Sequence, residues 1–180
     1  RSFDSLDRIV ELAESAPQNN IIVDLAAQTF DNLSQWLEES QILEIFAELG
    51  FDVYMWHVMD DGADSLALLG KTMERFRTEQ VRLVVVENRG RGDDFDLVEQ
   101  SSTFGRAKSL DAHTMVLSRL QPSLVRKIDF SDASFWAAAN NRDVMSTVER
   151  HRVAAWLNKQ YLQIDSILAD EPVDQLEPMT

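Results

Sequence analysis

Cysteine is absent from the 180 residues. That absence excludes disulfides, thiolate metal sites, iron–sulfur clusters and cysteine nucleophiles together. It fits a reducing compartment, so a cytoplasmic location is the expectation. Long apolar runs are missing too. None approaches the ~20 residues that a membrane span requires, which predicts a soluble chain. Positive charge is scarce, with 17 Lys and Arg against 31 Asp and Glu, a net charge of −14. Such a balance argues against a protein wrapped in nucleic acid, because phosphate binding rests on clustered cations. The three histidines, His57, His113 and His151, lie far apart without H-x-x-x-H spacing, so no zinc site is expected. There is no G-x-S-x-G elbow, no internal repeat and no low-complexity segment.

Hydrophobic residues make up 44% of the chain, and its length suits one globular domain. Residues 1–168 read as a single α/β unit and 169–180 as a mobile polar tail. Charge is unevenly spread. Residues 1–61 hold 2 basic and 13 acidic side chains, a balance of −11. Residues 104–127 hold five cations (Arg106, Lys108, Arg119, Arg126 and Lys127) against Asp111 alone, a balance of +4. That stretch reads as a solvated face or, alternatively, as a nucleic-acid contact.

Periodicity orders the elements. Phe3, Leu6, Ile9, Val10 and Ala13 recur at helical spacing, with Pro17 just past the end. Asn20 to Ala27 is a short β-branched run, apolar on both faces, which predicts a buried parallel strand. Thr29 to Gly50 predicts a helix in one or two pieces, with Gly50 as its stop. Strands are expected at Phe51–Met59, Val81–Asn88 and His113–Leu120. Helices are expected at Ser65–Thr78, Phe95–Ser101, Ser123–Lys127, Ala133–Asn140 and Asp143–Leu168. The four tryptophans, Trp36, Trp56, Trp136 and Trp156, sit in apolar stripes and are expected in the core. Strands alternating with helices predict a parallel sheet covered by helices on both faces, with ligands at the C-terminal strand ends. Those ends are Asp24–Gln28, Met59–Gly62, Asn88–Asp93 and Ser118–Pro122.

Two apparent phosphate motifs fail on inspection. Gly70-Lys71-Thr72 lacks the glycine required five positions before Gly70, where Ser65 stands, and its leucine-rich approach predicts helix. In Asn88-Arg89-Gly90-Arg91-Gly92-Asp93 the third glycine of a dinucleotide loop would fall at Phe95, while Asp93 and Asp94 would repel pyrophosphate. Asp93 or Asp94 instead suits the cap of the next helix. Two single residues remain. Asn88 ends a strand with an amide able to donate and accept, which suits a base edge. Asp24 is placed either to hold Mg²⁺ beside a phosphate or to cap the following helix.

Ile21-Ile22-Val23-Asp24-Leu25-Ala26-Ala27-Gln28 resembles the D-x-P-A segment of the ParA/MinD-like partition ATPases. Leu83-Val84-Val85-Val86-Glu87-Asn88-Arg89 resembles that family's later strand ending in Asn-Arg. The similarity spans about Ile21 to Asn140, and the short relatives tied to plasmid stability and conjugal transfer are nearest. It implies a P-loop-type α/β/α fold, ATP and Mg²⁺ as cofactors, and a homodimer formed around nucleotide. Asp24 would position Mg²⁺ and the attacking water. Asn88, with Arg89, would contact adenine, and Gln121 and Pro122 would lie near the base. Two departures stand out. Ala26 replaces the usual proline, and the lysine-rich phosphate loop is not in these residues. It would be expected upstream of Arg1, and the chain as given should not hydrolyse ATP. The sequence thus favours an ATP-dependent switch. The alternatives are a non-catalytic module that docks a partner through its long C-terminal helix, or a DNA-transfer accessory using the 104–127 face.

Overall fold

The computed structural model describes residues 3–16, 20–26, 28–76 and 80–169. Helices α1 (Asp4–Ser15), α2 (Phe30–Glu39) and α3 (Ile42–Glu48) come first. Then β1 (Val53–Met59), α4 (Ala63–Arg75) and β2 (Val81–Asn88) alternate. After them come α5 (Asp96–Glu99), α6 (Ser102–Ser109) and β3 (His113–Leu117). The chain closes with α7 (Pro122–Phe130), α8 (Phe135–Asn140) and the long α9 (Thr147–Ala169). The three strands form one parallel sheet in the order β1-β2-β3. Val53 is level with Val81, Val84 with His113, and Asn88 with Leu117.

Alternation along β2 distributes the core, since successive side chains leave opposite faces of a strand. Val85 packs with Met59, Leu69, Met73, Phe95, Val98 and Phe104, contributed largely by α4 to α6. Val84 and Val86 pack instead with Met115 and with Ile167 of α9. A separate cluster gathers α1, α2 and α3 around Trp36, whose indole N–H donates to Asp7 at 2.8 Å. Gly50 ends α3 with φ +79°, the left-handed geometry that a glycine adopts without a Cβ penalty.

The expected strand at 20–27 is not formed over the described residues 20–26, and Ala27 lies outside them. Ile22 is 93% exposed, and no neighbouring strand offers these residues a ladder. A β-branched run can be a strand only where another edge accepts its backbone groups. The sheet of described residues therefore has three strands rather than four. Trp136 is a second correction: it is 65% exposed on α8, while Trp36 is buried and Trp56 and Trp156 are half-buried. Helix α6 was not expected. Its signal was the Ser101 hydroxyl, which accepts the Phe104 N–H as an N-cap. The strand expected to reach Leu120 stops at Leu117, before Pro122 opens α7. Gly70-Lys71-Thr72 lies inside α4, with Leu69 and Thr72 buried, as helix periodicity required. The expected tail from 170 onward lies outside the described residues. Among the described residues, no helix is long and apolar enough to cross a membrane.

Candidate functional site

The loops leaving the C-terminal ends of β1 and β2 are fastened to each other by one carboxylate. The Asp61 carboxylate accepts the N–H groups of Asp93 (2.9 Å) and Asp94 (3.1 Å), which hold its pKa below the usual carboxylate range. Asp60 is lowered in the same direction, first by the Ser65 hydroxyl at 2.5 Å and then by the Gly62 N–H. The approach is so close that a Cβ on Gly92 would meet the Asp61 carboxylate carbon at 2.7 Å and the Asp61 backbone nitrogen at 2.9 Å. Glycine is required there by contact. Asp94 also accepts the Asp96 N–H at 3.0 Å just before α5, but the N-cap position is Phe95, so neither Asp93 nor Asp94 is the cap the sequence led us to expect.

Asn88 is the last residue of β2 and half-buried. Its Oδ1 accepts the Gly90 N–H at 3.1 Å, turning the chain back immediately after the strand. Arg89 then anchors the rim. Its guanidinium binds Glu87 at 2.7 Å and Glu99 at 2.9 Å, and it lies 5.0 Å from the Phe95 ring centroid. Glu87 is buried, and its hydrogen bond is the main reason that the Arg89 pKa is raised. The Arg89 N–H donates to Leu117 at 3.0 Å, and Arg119 Nε donates to the Arg89 carbonyl at 3.2 Å. Arg119 also forms an ion pair with Asp93. Arg89, next to Asn88, is thus joined through Arg119 to the 118–122 turn, where Gln121 and Pro122 are exposed at the start of α7. That turn is held from behind. Trp156 donates to the Ser118 carbonyl at 2.6 Å, and Gln160 donates to its hydroxyl at 2.9 Å.

Asp24 does not belong to this cluster. It lies exposed in the 20–26 stretch and has no hydrogen-bond or ion-pair partner among the described residues. Three of the five cations of 104–127 are engaged in ion pairs, Arg119 with Asp93 among them. Arg106 on α6 reaches Glu74 of α4 at 3.8 Å, and Lys108 sits 4.9 Å from the Phe104 ring centroid. Lys127 on α7 pairs with Glu149 of α9 at 2.6 Å, while Arg126 is exposed one residue earlier. Among the described residues, no group of three or more His, Asp or Glu side chains is placed to hold a metal ion.

Sequence reasoning missed Glu87 and Glu99, and it placed Asp61 and Ser118 at strand ends without the contacts they make. The Glu87 signal was present: an acid two residues before Arg89 shares its face of the strand, so the pair meets by register alone. The roles of Asp61 and Ser118 depend on contacts 32 and 38 residues away in sequence, which local pattern cannot contain. No protein-family model, curated protein or solved structure matches this chain.

Proposed function

We propose that the C-terminal rim of the sheet holds the base of an adenine nucleotide, in a dimerising switch of the ParA/MinD type. The observation that carries this reading is the place of Asn88 at the end of β2, level with Leu117 and next to Arg89, whose carbonyl is bonded to Arg119 of the 118–122 turn. The turn after β2 occupies one lone pair of Asn88 Oδ1 and leaves Nδ2 unused among the described residues. An amide so fixed can donate to a ring nitrogen and accept from an exocyclic amine, the paired pattern of an adenine edge. The fastened loops around it would cost little further ordering on binding. Gln121 and Pro122 would border the base, and Arg89 would act through its grip on the rim.

The triphosphate end fits less well. The 180 residues contain no lysine-rich phosphate loop, and Asp24 is one isolated carboxylate. Mg²⁺ is commonly held by one or two carboxylates plus the substrate's own phosphates, so Asp24 remains the proposed metal- or water-orienting acid only alongside such a loop. When bound, the ion would neutralise charge on the transferred phosphoryl group. An ATP sandwich of two chains, a P-loop-type three-layer fold, a cytoplasmic location and a link to plasmid maintenance or DNA transfer all belong to this same proposal.

The docking-module reading is weaker, because α9 spends much of its apolar face within the chain, leaving Val148, Tyr161 and Leu168 exposed. Val153, Leu157 and Ile167 are buried against α7, α8 and the sheet. Saturation-transfer NMR with adenosine and with ATP tests the base site on the 180-residue chain. Adenine protons should receive saturation, with amide shifts at Asn88–Gly90 and Ser118–Gln121. Asn88→Ala should weaken binding at least about tenfold. No transfer, or equal binding by Asn88→Ala, would overturn the proposal.

A further inference from the structure

The two faces of the sheet are covered unequally. Met55 and Met59 leave β1 on the face that α1 to α6 pack against. Tyr54, Trp56 and Val58 leave it on the other, because side chains alternate along a strand. There Tyr54, Trp56, Leu117 and Ile164 pack around Val84, Val86, Met115 and Ile167, so α9 supplies the cover. Val58 is level with Val86 and shares its face, yet Val86 is 3% exposed and Val58 58%. The cover stops short of β1, at one edge of the sheet.

The setting of α9 shows how the bare part is bounded. Gln163 reaches the outer edge of β3, where its amide accepts the Val116 N–H at 3.0 Å and donates to the Val116 carbonyl at 3.1 Å. Next round the helix come Ile167 and Ile164, pressed on the sheet. Leu168 and Tyr161 follow, about 140° and 160° from Gln163 at 100° per residue. That flank looks across the sheet toward β1, and both of its side chains are exposed. By itself it is a narrow stripe. Joined to exposed Val58 and half-buried Trp56 and Tyr54, it becomes the wall of a shelf whose floor is β1.

We infer that this shelf seats one amphipathic helix of another polypeptide, apolar on the side it buries and basic on its flanks. The face of a parallel sheet takes helices, whereas strands add only at its edges. Strands lie about 4.8 Å apart and a helix is about 10 Å across, so α9 over β3 and β2 leaves β1 to one neighbour. Charge sets the flanks of that neighbour. Asp165 comes next round α9 after Tyr161, at the top of the wall, exposed and without an ion pair among the described residues. Asp60 directly follows β1, and its carboxylate accepts from the Ser65 hydroxyl and the Gly62 N–H, not from a cation. The cation of the bare face, Arg82, stands at its opposite end, 5.6 Å from the Tyr54 ring centroid and 3.6 Å from Asp52. A second copy would bring its own charge of −14, which opposes self-association. The inference stands without the nucleotide reading, because it uses β1 and α9 rather than Asn88.

An NMR titration of the 180-residue chain tests it. The probe is a capped, alanine-based helical peptide of about 18 residues, with one leucine stripe flanked by lysines. Shifts should centre on Val58, Tyr161 and Leu168 and saturate below about 1 mM peptide. Val58→Ser and Leu168→Ser, both at sites open to solvent, should each weaken binding at least about threefold. Leu97→Ser, at an exposed apolar site on α5, should leave it unchanged. The same leucines scattered round the helix, or glutamates in place of the lysines, should bind at least about tenfold more weakly. Asp165→Lys should narrow the gap between the lysine and glutamate peptides. Absence of shifts at the shelf, equal binding of the scattered or glutamate peptide, equal loss in Leu97→Ser, or an unchanged gap in Asp165→Lys would overturn the inference. So would a dimer, seen by light scattering, that Val58→Ser dissociates, since the occupant would then be a second copy.

Discussion

Two single side chains convert their surroundings into measurable pH dependence. Glu149 accepts the Lys127 ammonium and the Ser146 N–H, which lower its pKa from 4.5 to about 2. A carboxyl depressed in the folded state contributes stability that is full above its unfolded value and lost as pH falls toward the folded one. The Ser146 amide signal should therefore titrate with a midpoint near 2, and Glu149→Gln should remove that titration. A midpoint near 4.5 would mean that the contacts do not hold in solution. His57 behaves alike for a different reason. Burial lowers its pKa, only partly offset by the Ser65 carbonyl 3.3 Å from Nε2. The unfolded chain takes up the proton first, so stability should begin to fall as pH drops below about 6.5. Urea midpoints at pH 7 and pH 5 should differ less in His57→Gln than in the parent. At Trp36, which is 1% exposed, packing and polarity separate cleanly. Trp36→Ala should cost about 3–5 kcal/mol by leaving a cavity. Trp36→Phe should cost about 1–2 kcal/mol, for the lost bond to Asp7 and imperfect fit. Thermal or urea unfolding measures both.

At the scale of elements, Gln163 is the clearest case of a side chain doing a strand's work. Its two bonds to Val116 satisfy backbone groups that would otherwise face the underside of α9. Gln163→Ala should lose about 1–2 kcal/mol, on the usual net value of a hydrogen bond, and should open a second edge to association. Gln163→Glu keeps the acceptor for the Val116 N–H but no longer donates to its carbonyl, so it should fall between the two in unfolding midpoint. Sequence pattern located β2 to the residue, because Val81–Asn88 is β-branched and bounded by a glycine-rich loop. It located α4, α9 and the α2–α3 pair for a similar reason: their apolar spacing is local information. The 20–27 run has the same composition as a real strand, yet the described part of it has no partner. Being a strand is a property of a pair, so composition could not settle it. The same limit governed the candidate site. Asn88 and the Met59–Gly62 end were legible as strand ends, whereas the bonds of Asp61 to Asp93 and Asp94 were not, because they span more than thirty residues.

Across the whole molecule, the positive stretch of the sequence is largely paired with acids in space. The stretch 104–127 carries a balance of +4, but three of its five cations are already engaged: Arg106 with Glu74, Arg119 with Asp93, and Lys127 with Glu149. The partners come from outside the stretch, so a count along the chain overstates the field that an approaching phosphate would meet. Arg106 and Lys108 on α6 and Arg126 and Lys127 on α7 also belong to helices packed in separate clusters. The ion pairs leave Lys108 and Arg126 as the cations of the stretch without an ion pair among the described residues, on a body of net charge −14. Each phosphate neutralised contributes roughly −0.9 to the slope of log affinity against log salt, so a slope no steeper than about −2 is expected, with no binding detectable at about 150 mM salt. Fluorescence anisotropy of a labelled duplex across a salt series measures it. A slope of about −4 or steeper would require the ion pairs to open and the cations to regroup on one surface, and would restore nucleic acid as a partner.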